Sequence, residues 1–210
     1  MQTITESMLE ALRAQVTEKL SPYRMAHTLG VERMAARLAA LYVPEKEPLL
    51  RAAALLHDVT KEYSEAEQLQ ILESHGASLC EADMGSPAVW HGITAALIIP
   101  DEYPAFADPE IISAVRWHTT GCAGMTLTDA LLNLADFIEE ERQFPDCVAL
   151  RNAFFEPSPE EMSPKERLAH LRRILILYYE KTLSKLQASG RPICPDSLAA
   201  LESMQNRREF

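Results

Sequence analysis

Ala53-Ala54-Leu55-Leu56-His57-Asp58 is an apolar run that closes on a histidine and an aspartate side by side. Read as a helix, it places Leu50, Ala53, Ala54 and His57 at i, i+3, i+4 and i+7, so the imidazole continues the stripe that faces a core. Asp58 falls about 100° further round. A buried carboxylate is costly unless it is paired or coordinates a cation. The pair therefore raises the question of whether the rest of the chain supplies the other ligands of that cation.

Outward from this run the chain reads as all-α. Ser21-Pro22, Ser86-Pro87, Asp108-Pro109 and Ser163-Pro164 each place an N-cap residue before a proline at the first helical position. Period-two alternation rich in β-branched and aromatic residues is lacking. Spacing predicts helices over about residues 5–19, 22–42, 47–61, 65–75, 87–99 (stopped by Pro100) and 109–118. Thr126 and Asp129 form a capping box for a further helix over about 129–140. Beyond it come a short helix reaching about 155, a long one over 164–188 and a short terminal one from near 196. The proline-rich Glu156-Pro157-Ser158-Pro159 reads as a loop inside one bundle. The expected organisation is a single domain over residues 1–210, with a core at about 18–142 and C-terminal helices at about 146–205 packed on it.

Composition narrows the setting. Cys80, Cys122, Cys147 and Cys194 are scattered with no C-x-x-C pair, which argues against a zinc ribbon or a disulfide framework and fits a reducing cytoplasm. No run approaches the roughly 20 apolar residues that span a bilayer, and the start at Met1 has no signal-peptide pattern. A formal net charge of −11 argues against nucleic-acid binding, which needs clustered Lys and Arg. A small anionic ligand would need locally placed cations, metal ions included.

Four of the six histidines, His27, His57, His91 and His118, fall on or near apolar faces of four different helices. Each alone reads more often as a satisfied core residue than as a ligand. Together with Asp58 and Asp136 they give six N and O donors on five helices of one bundle, the place where bundles build metal sites. Imidazole and carboxylate without thiolate suit iron, manganese or zinc. Six donors match two ions bridged by one carboxylate, and Asp58 is the natural bridge. Such a pair, about 3.5–4 Å apart, can hold a hydroxide and clamp the oxygens of a phosphoryl centre during in-line displacement. Lys61, three residues after Asp58, projects one turn later on the same side, where phosphate contact and a solvated role are equally open. Arg24 and Arg116 read as surface residues, His75 and His170 as structural or exposed.

In order along the chain, His27, His57-Asp58 and Asp136 resemble the H…HD…D pattern of the HD-domain metal-dependent phosphohydrolases, and His91 and His118 resemble the additional ligands of the dinuclear branch. More closely, Met25-Ala26-His27-Thr28-Leu29-Gly30-Val31, Ala54-Leu55-Leu56-His57-Asp58-Val59-Thr60-Lys61, Trp90-His91-Gly92, Arg116-Trp117-His118-Thr119-Thr120-Gly121 and Leu134-Ala135-Asp136-Phe137-Ile138-Glu139 resemble the YqeK family of bacterial symmetrical diadenosine tetraphosphatases. That resemblance implies an HD-domain helical bundle that cleaves diadenosine tetraphosphate to two ADP on two metal ions, iron first and manganese or another transition metal next. It implies His27, His57, Asp58 and Asp136 around one metal and Asp58, His91 and His118 around the other. Asp58 and Lys61 carry the catalytic assignment. Lys61, Thr119, Thr120, Gly121 and Arg142 carry the substrate contacts, and a homodimer is compatible. This chain departs from the family at Glu139-Glu140-Glu141-Arg142, where a proline and glycine usually precede the arginine, and at Cys194, where the tail usually has a histidine. The competing readings are an HD phosphohydrolase for another nucleotide and a non-catalytic nucleotide-binding HD scaffold.

Overall fold

Helix α3, Glu47–Leu56, runs through the middle of the computed structural model, which describes residues 3–206. Leu49, Leu50 and every residue from Ala52 to Leu56 are buried, as expected of a helix that is apolar on all sides. Its run of three alanines lets neighbours approach closely. Helix α2 (Pro22–Tyr42) packs along it, and α1 (Glu6–Thr17), α7 (Pro109–Trp117) and α8 (Leu127–Ile138) cover its other sides. Arg51, the one charged residue in the interior of α3, pairs with Glu47, Glu6 and the buried Glu32, and Glu32 also accepts from Arg13. Charge thus joins the same three helices that apolar packing joins.

The remaining elements are α4 (Glu65–Ser74), α5 (Glu81–Met84), α6 (Trp90–Glu102), α9 (Pro145–Phe155), α10 (Pro164–Ala188) and α11 (Pro195–Asn206). Helix α6 packs on α7 and α4, while α10 packs against α9 and α11 and touches α2. Among the described residues there is no strand, and no helix is long and apolar enough to cross a membrane. Residues 1–2 and 207–210, which the single-domain span includes, lie outside the described residues.

The caps follow the sequence with instructive exceptions. Ser21, Asp108 and Ser163 each accept a backbone N–H from the first turn of α2, α7 and α10. Ser86 does not, because Pro87–Val89 forms a 3-10 turn and α6 starts only at Trp90. Nor does Pro100 end α6: it occupies the last turn, where it forfeits one amide donor, and Tyr103 N–H closes the helix on the Ile99 carbonyl. The capping box of Thr126 and Asp129 forms, yet α8 begins at Leu127, because the box spans N-cap to N3 and Asp129 is its N3. Helix α3 stops at Leu56, five residues before the expected end at 61, and successive turns carry the chain from His57 to Tyr63.

Candidate metal centre

The six N and O donors come from α2, α3, α6, α7 and α8 or from the residues just past their ends. His27 lies on α2, His91 is the second residue of α6, and Asp136 lies on α8. His57 and His118 are the C-caps of α3 and α7, so both rings leave their helices where the last carbonyls lack helical partners. Asp58 follows in the first turn beyond α3. Its Oδ1 lies 3.2 Å from His91 Nε2 and 3.9 Å from His118 Nε2. The Oδ2 atom lies 3.4 Å from His57 Nε2 and 3.8 Å from His27 Nε2. Asp136 Oδ1 lies 3.0 Å from His27 Nε2 and 3.7 Å from His57 Nε2. His91 and His118 face each other with their Nε2 atoms 3.0 Å apart. Gly92 lies close to the end of α7, where a Cβ would meet the Arg116 carbonyl at 3.2 Å.

The second ring nitrogens decide whether metal ions fit. His57 Nδ1 lies 2.6 Å from the Ala54 carbonyl and His118 Nδ1 2.7 Å from the Val115 carbonyl. A carbonyl only accepts, so each Nδ1 carries the proton and each Nε2 directs a lone pair into the cluster. His57 Nε2 is buried there with no hydrogen-bond partner. On the opposite side, His27 Nδ1 lies 3.0 Å from Glu139 Oε1, a carboxylate buried completely. Carboxylate or carbonyl behind, lone pair in front, is the arrangement that orients a histidine toward a metal. The donor set His27, His57 and Asp136, and the set His57, Asp58 and His118, each bring their ligand atoms within 4.8 Å of one another. Divalent ions fit this site.

Without cations, protons and arginines offset the buried charge. Burial pulls the His27 imidazolium down, but hydrogen bonds to Asp136 and Glu139 outweigh it and push its pKa up to about 9. Burial, then the charges of His91 and His57, drives His118 down to about 3. Burial likewise lowers His91 and Lys61, although Asp58 opposes it at both. Asp58 stays well below the usual carboxylate range although burial opposes this, held by His57 and His91, and Asp136 does so through Arg142 and His27.

The His27 shift has a pH signature. Its folded pKa exceeds the unfolded value near 6.5, so the stabilisation is fully present below about pH 6.5 and is lost as pH rises toward 9. In chelator-treated protein the expected loss across that window is roughly 3 kcal/mol, partly offset by Lys61, whose shift has the opposite sign. Urea midpoints measured with chelator should show it. The same measurement with bound metal should be nearly flat, and a flat chelator curve would contradict protonated His27.

Other assigned residues divide. Lys61 lies beyond the end of α3, yet its Nζ reaches His91 Nδ1 at 3.2 Å and donates to the Ala88 carbonyl. Thr119 Oγ1 lies 3.2 Å from His91 Nε2 and 3.0 Å from His118 Nε2. In the next two residues the Thr120 hydroxyl donates to the Gly121 carbonyl, and Gly121, at φ +66°, lies against Tyr179 and Ala200. Arg142 Nη2 donates to Asp136 Oδ1 at 2.6 Å. Sequence reasoning missed two neighbours. Arg24, read as a surface residue, donates from Nη1 to Asp58 Oδ2 at 2.8 Å. Glu139, read as part of an acidic run, is the carboxylate behind His27; the one signal was its position three residues after Asp136, just past the helix end. Arg116 stacks over Trp117, and His170, left open as structural or exposed, is buried with Nε2 donating to the Phe154 carbonyl.

Comparison with known proteins agrees with this geometry. The HD domain family model matches residues 24–170. The symmetrical bis(5'-nucleosyl)-tetraphosphatase of Bacillus subtilis (strain 168) is 30% identical over 190 residues, 90% of this chain and 92% of that protein. A protein of the same name from Staphylococcus aureus (strain NCTC 8325 / PS 47) is 31% identical over 144 residues, 69% of this chain and 73% of that one. A crystal structure from Clostridium acetobutylicum, described as a predicted HD superfamily hydrolase involved in NAD metabolism, superposes with a TM-score of 0.80 at 24% identity, covering 95% of this chain and 97% of that one. At that identity the superposition speaks to the fold.

Proposed function

This chain belongs to the HD-domain family, and on that premise we propose that it is a symmetrical bis(5'-nucleosyl)-tetraphosphatase, hydrolysing diadenosine tetraphosphate to two ADP. The observation that carries the reading is the convergence of four imidazole Nε2 atoms and two carboxylates, combined with relatives of that name at 30% and 31% identity over 90% and 69% of the chain. His27, His57, Asp58 and Asp136 would hold one metal, and Asp58, His91 and His118 a second, with iron or manganese suited to these donors. Bound metal ions at such a site activate water and offset charge on the phosphoryl oxygens and the leaving group.

The chain's own groups do the rest. Glu139 fixes the His27 ring, and the Ala54 and Val115 carbonyls fix His57 and His118, so no ring has to turn when substrate arrives. Lys61 lies against His91 and places positive charge at the edge of the cluster, where a phosphate oxygen would approach. Arg24 and Arg142, anchored on Asp58 and Asp136, add two guanidiniums suited to bidentate phosphate contact. In the reaction, an O–P bond forms between water and one central phosphorus. The central anhydride P–O bond breaks in line, and ADP leaves on the opposite side.

Chromatography of the products after incubation with iron(II) or manganese tests this. ADP should be the sole nucleotide product; ATP plus AMP would show asymmetric cleavage and overturn the reading.

A further inference from the structure

Phe144 and Tyr23 are the feature that neither the metal cluster nor the core explains. Four large apolar side chains are exposed among the described residues, Tyr23 at 76%, Phe144 at 62%, Met84 and Leu198. Two of the four line one cavity. That cavity, about 350 Å³, is walled by Tyr23, Arg24, Arg142, Phe144 and Glu141 and reaches His27, a member of the metal cluster. Its volume lies in the range of small-molecule sites.

Each aromatic neighbours a proline at a helix start. Tyr23 follows Pro22 at the start of α2, and Phe144 precedes Pro145 as the N-cap of α9. The proline ring fixes φ of Pro22 and of Pro145, so both exposed rings are carried on backbone at the ordered start of a helix. Positive charge lines the same cavity: Arg24 contacts Asp58 and Arg142 contacts Asp136. The acidic residues of the cavity already have partners. Glu139 is taken by His27 and the Glu141 N–H, and Glu141 pairs with Arg33. Aromatic rings, guanidiniums and a histidine of the metal cluster around one cavity match the base, the phosphates and the scissile phosphoryl group of a nucleotide.

Resting on the proposed tetraphosphatase reading, we propose that Tyr23 and Phe144 form the stacking surface for one nucleobase of the substrate, with its phosphates running past Arg24 and Arg142 to the metal cluster. Stacking tolerates any base because every base has a π face. Diguanosine tetraphosphate should therefore show a KM close to that of diadenosine tetraphosphate.

The test uses the metal-loaded chain and the variants Tyr23→Ala, Phe144→Ala and their double, with Tyr23→Phe and Phe144→Tyr as conservative partners. Leu198→Ala, an exposed apolar residue that does not line the cavity, is the control. Truncating either ring should lower kcat/KM roughly tenfold to a hundredfold, with the change in KM. The conservative variants should restore it. As competitive inhibitors, ADP should weaken by a similar factor while pyrophosphate, which has no base, keeps its affinity. Unchanged KM in the double variant overturns the inference. So does equal weakening of ADP and pyrophosphate, which would place the effect on the phosphates. If the wild-type chain releases no ADP from the dinucleotide, the activity reading fails by itself, and calorimetric affinities for ADP against pyrophosphate decide the stacking surface.

Discussion

Asp58→Ala should lower turnover of diadenosine tetraphosphate by three orders of magnitude or more, equivalent to about 4 kcal/mol of transition-state stabilisation, and reduce the bound metal to one ion or none per chain. The expectation follows from reach. Asp58 approaches all four imidazoles, between 3.2 and 3.9 Å, whereas Asp136 approaches two. Loss of Asp58 removes the one carboxylate placed to serve both donor groups. It also leaves the Arg24 guanidinium, now 2.8 Å from Asp58 Oδ2, directed at a cation site without its partner. Asp58→Asn, which keeps the shape and one oxygen, should recover little, because the lost charge is the larger defect. Metal analysis beside initial rates checks the prediction. Two ions per chain with near-normal turnover in either variant would remove the bridging role from Asp58.

Gly30→Ala is expected to weaken metal binding tenfold to a hundredfold and to destabilise the protein, although glycine-to-alanine in a helix ordinarily stabilises by about 0.5–1 kcal/mol. A Cβ on Gly30 would lie 2.2 Å from Glu139 Oε2 and 3.0 Å from its carboxyl carbon. A carboxylate at the end of a flexible chain could usually swing aside. This one is fully enclosed, with Oε1 on His27 and Oε2 accepting the Glu141 N–H at 2.6 Å. Moving it breaks both bonds inside the protein, where an unsatisfied group costs about 1–3 kcal/mol. Glu139→Ala should therefore resemble Gly30→Ala in metal affinity, and the double variant should be no worse than the single ones, since both remove the same support. Competition against a calibrated chelator, with thermal unfolding, measures both effects. A Gly30→Ala protein with raised Tm and unchanged affinity would mean that Glu139 does not hold His27.

What the sequence made legible was the part written in local periodicity. His27, His57 and Asp136 each sit in or next to a run of small and aliphatic residues, so a polar group there stands out, and chain order joined them into one pattern. The end of α3 was not legible. Periodicity carried the helix through His57 to Lys61, and no glycine or proline marks the stop at Leu56. Glu139 and Arg24 were hidden for a different reason. Each looks like an ordinary solvated charge in its own segment, and each acquires meaning from a partner far along the chain, His27 for one and Asp58 for the other. Gly121 shows what adjacency does not convey: next but two to His118 in the chain, it sits in a left-handed turn against Tyr179 of α10 and Ala200 of α11.

The two kinds of histidine anchoring also set an order of assembly. The carbonyls that orient His57 and His118 lie three residues upstream of each ring, so those two rings are set as soon as α3 and α7 close their last turns. His27 takes its orientation from Glu139 across 112 residues, a loop whose closure must await the docking of α8 on α2. One half of the cluster is thus encoded in single helical turns, while the other is a late product of the chain meeting itself.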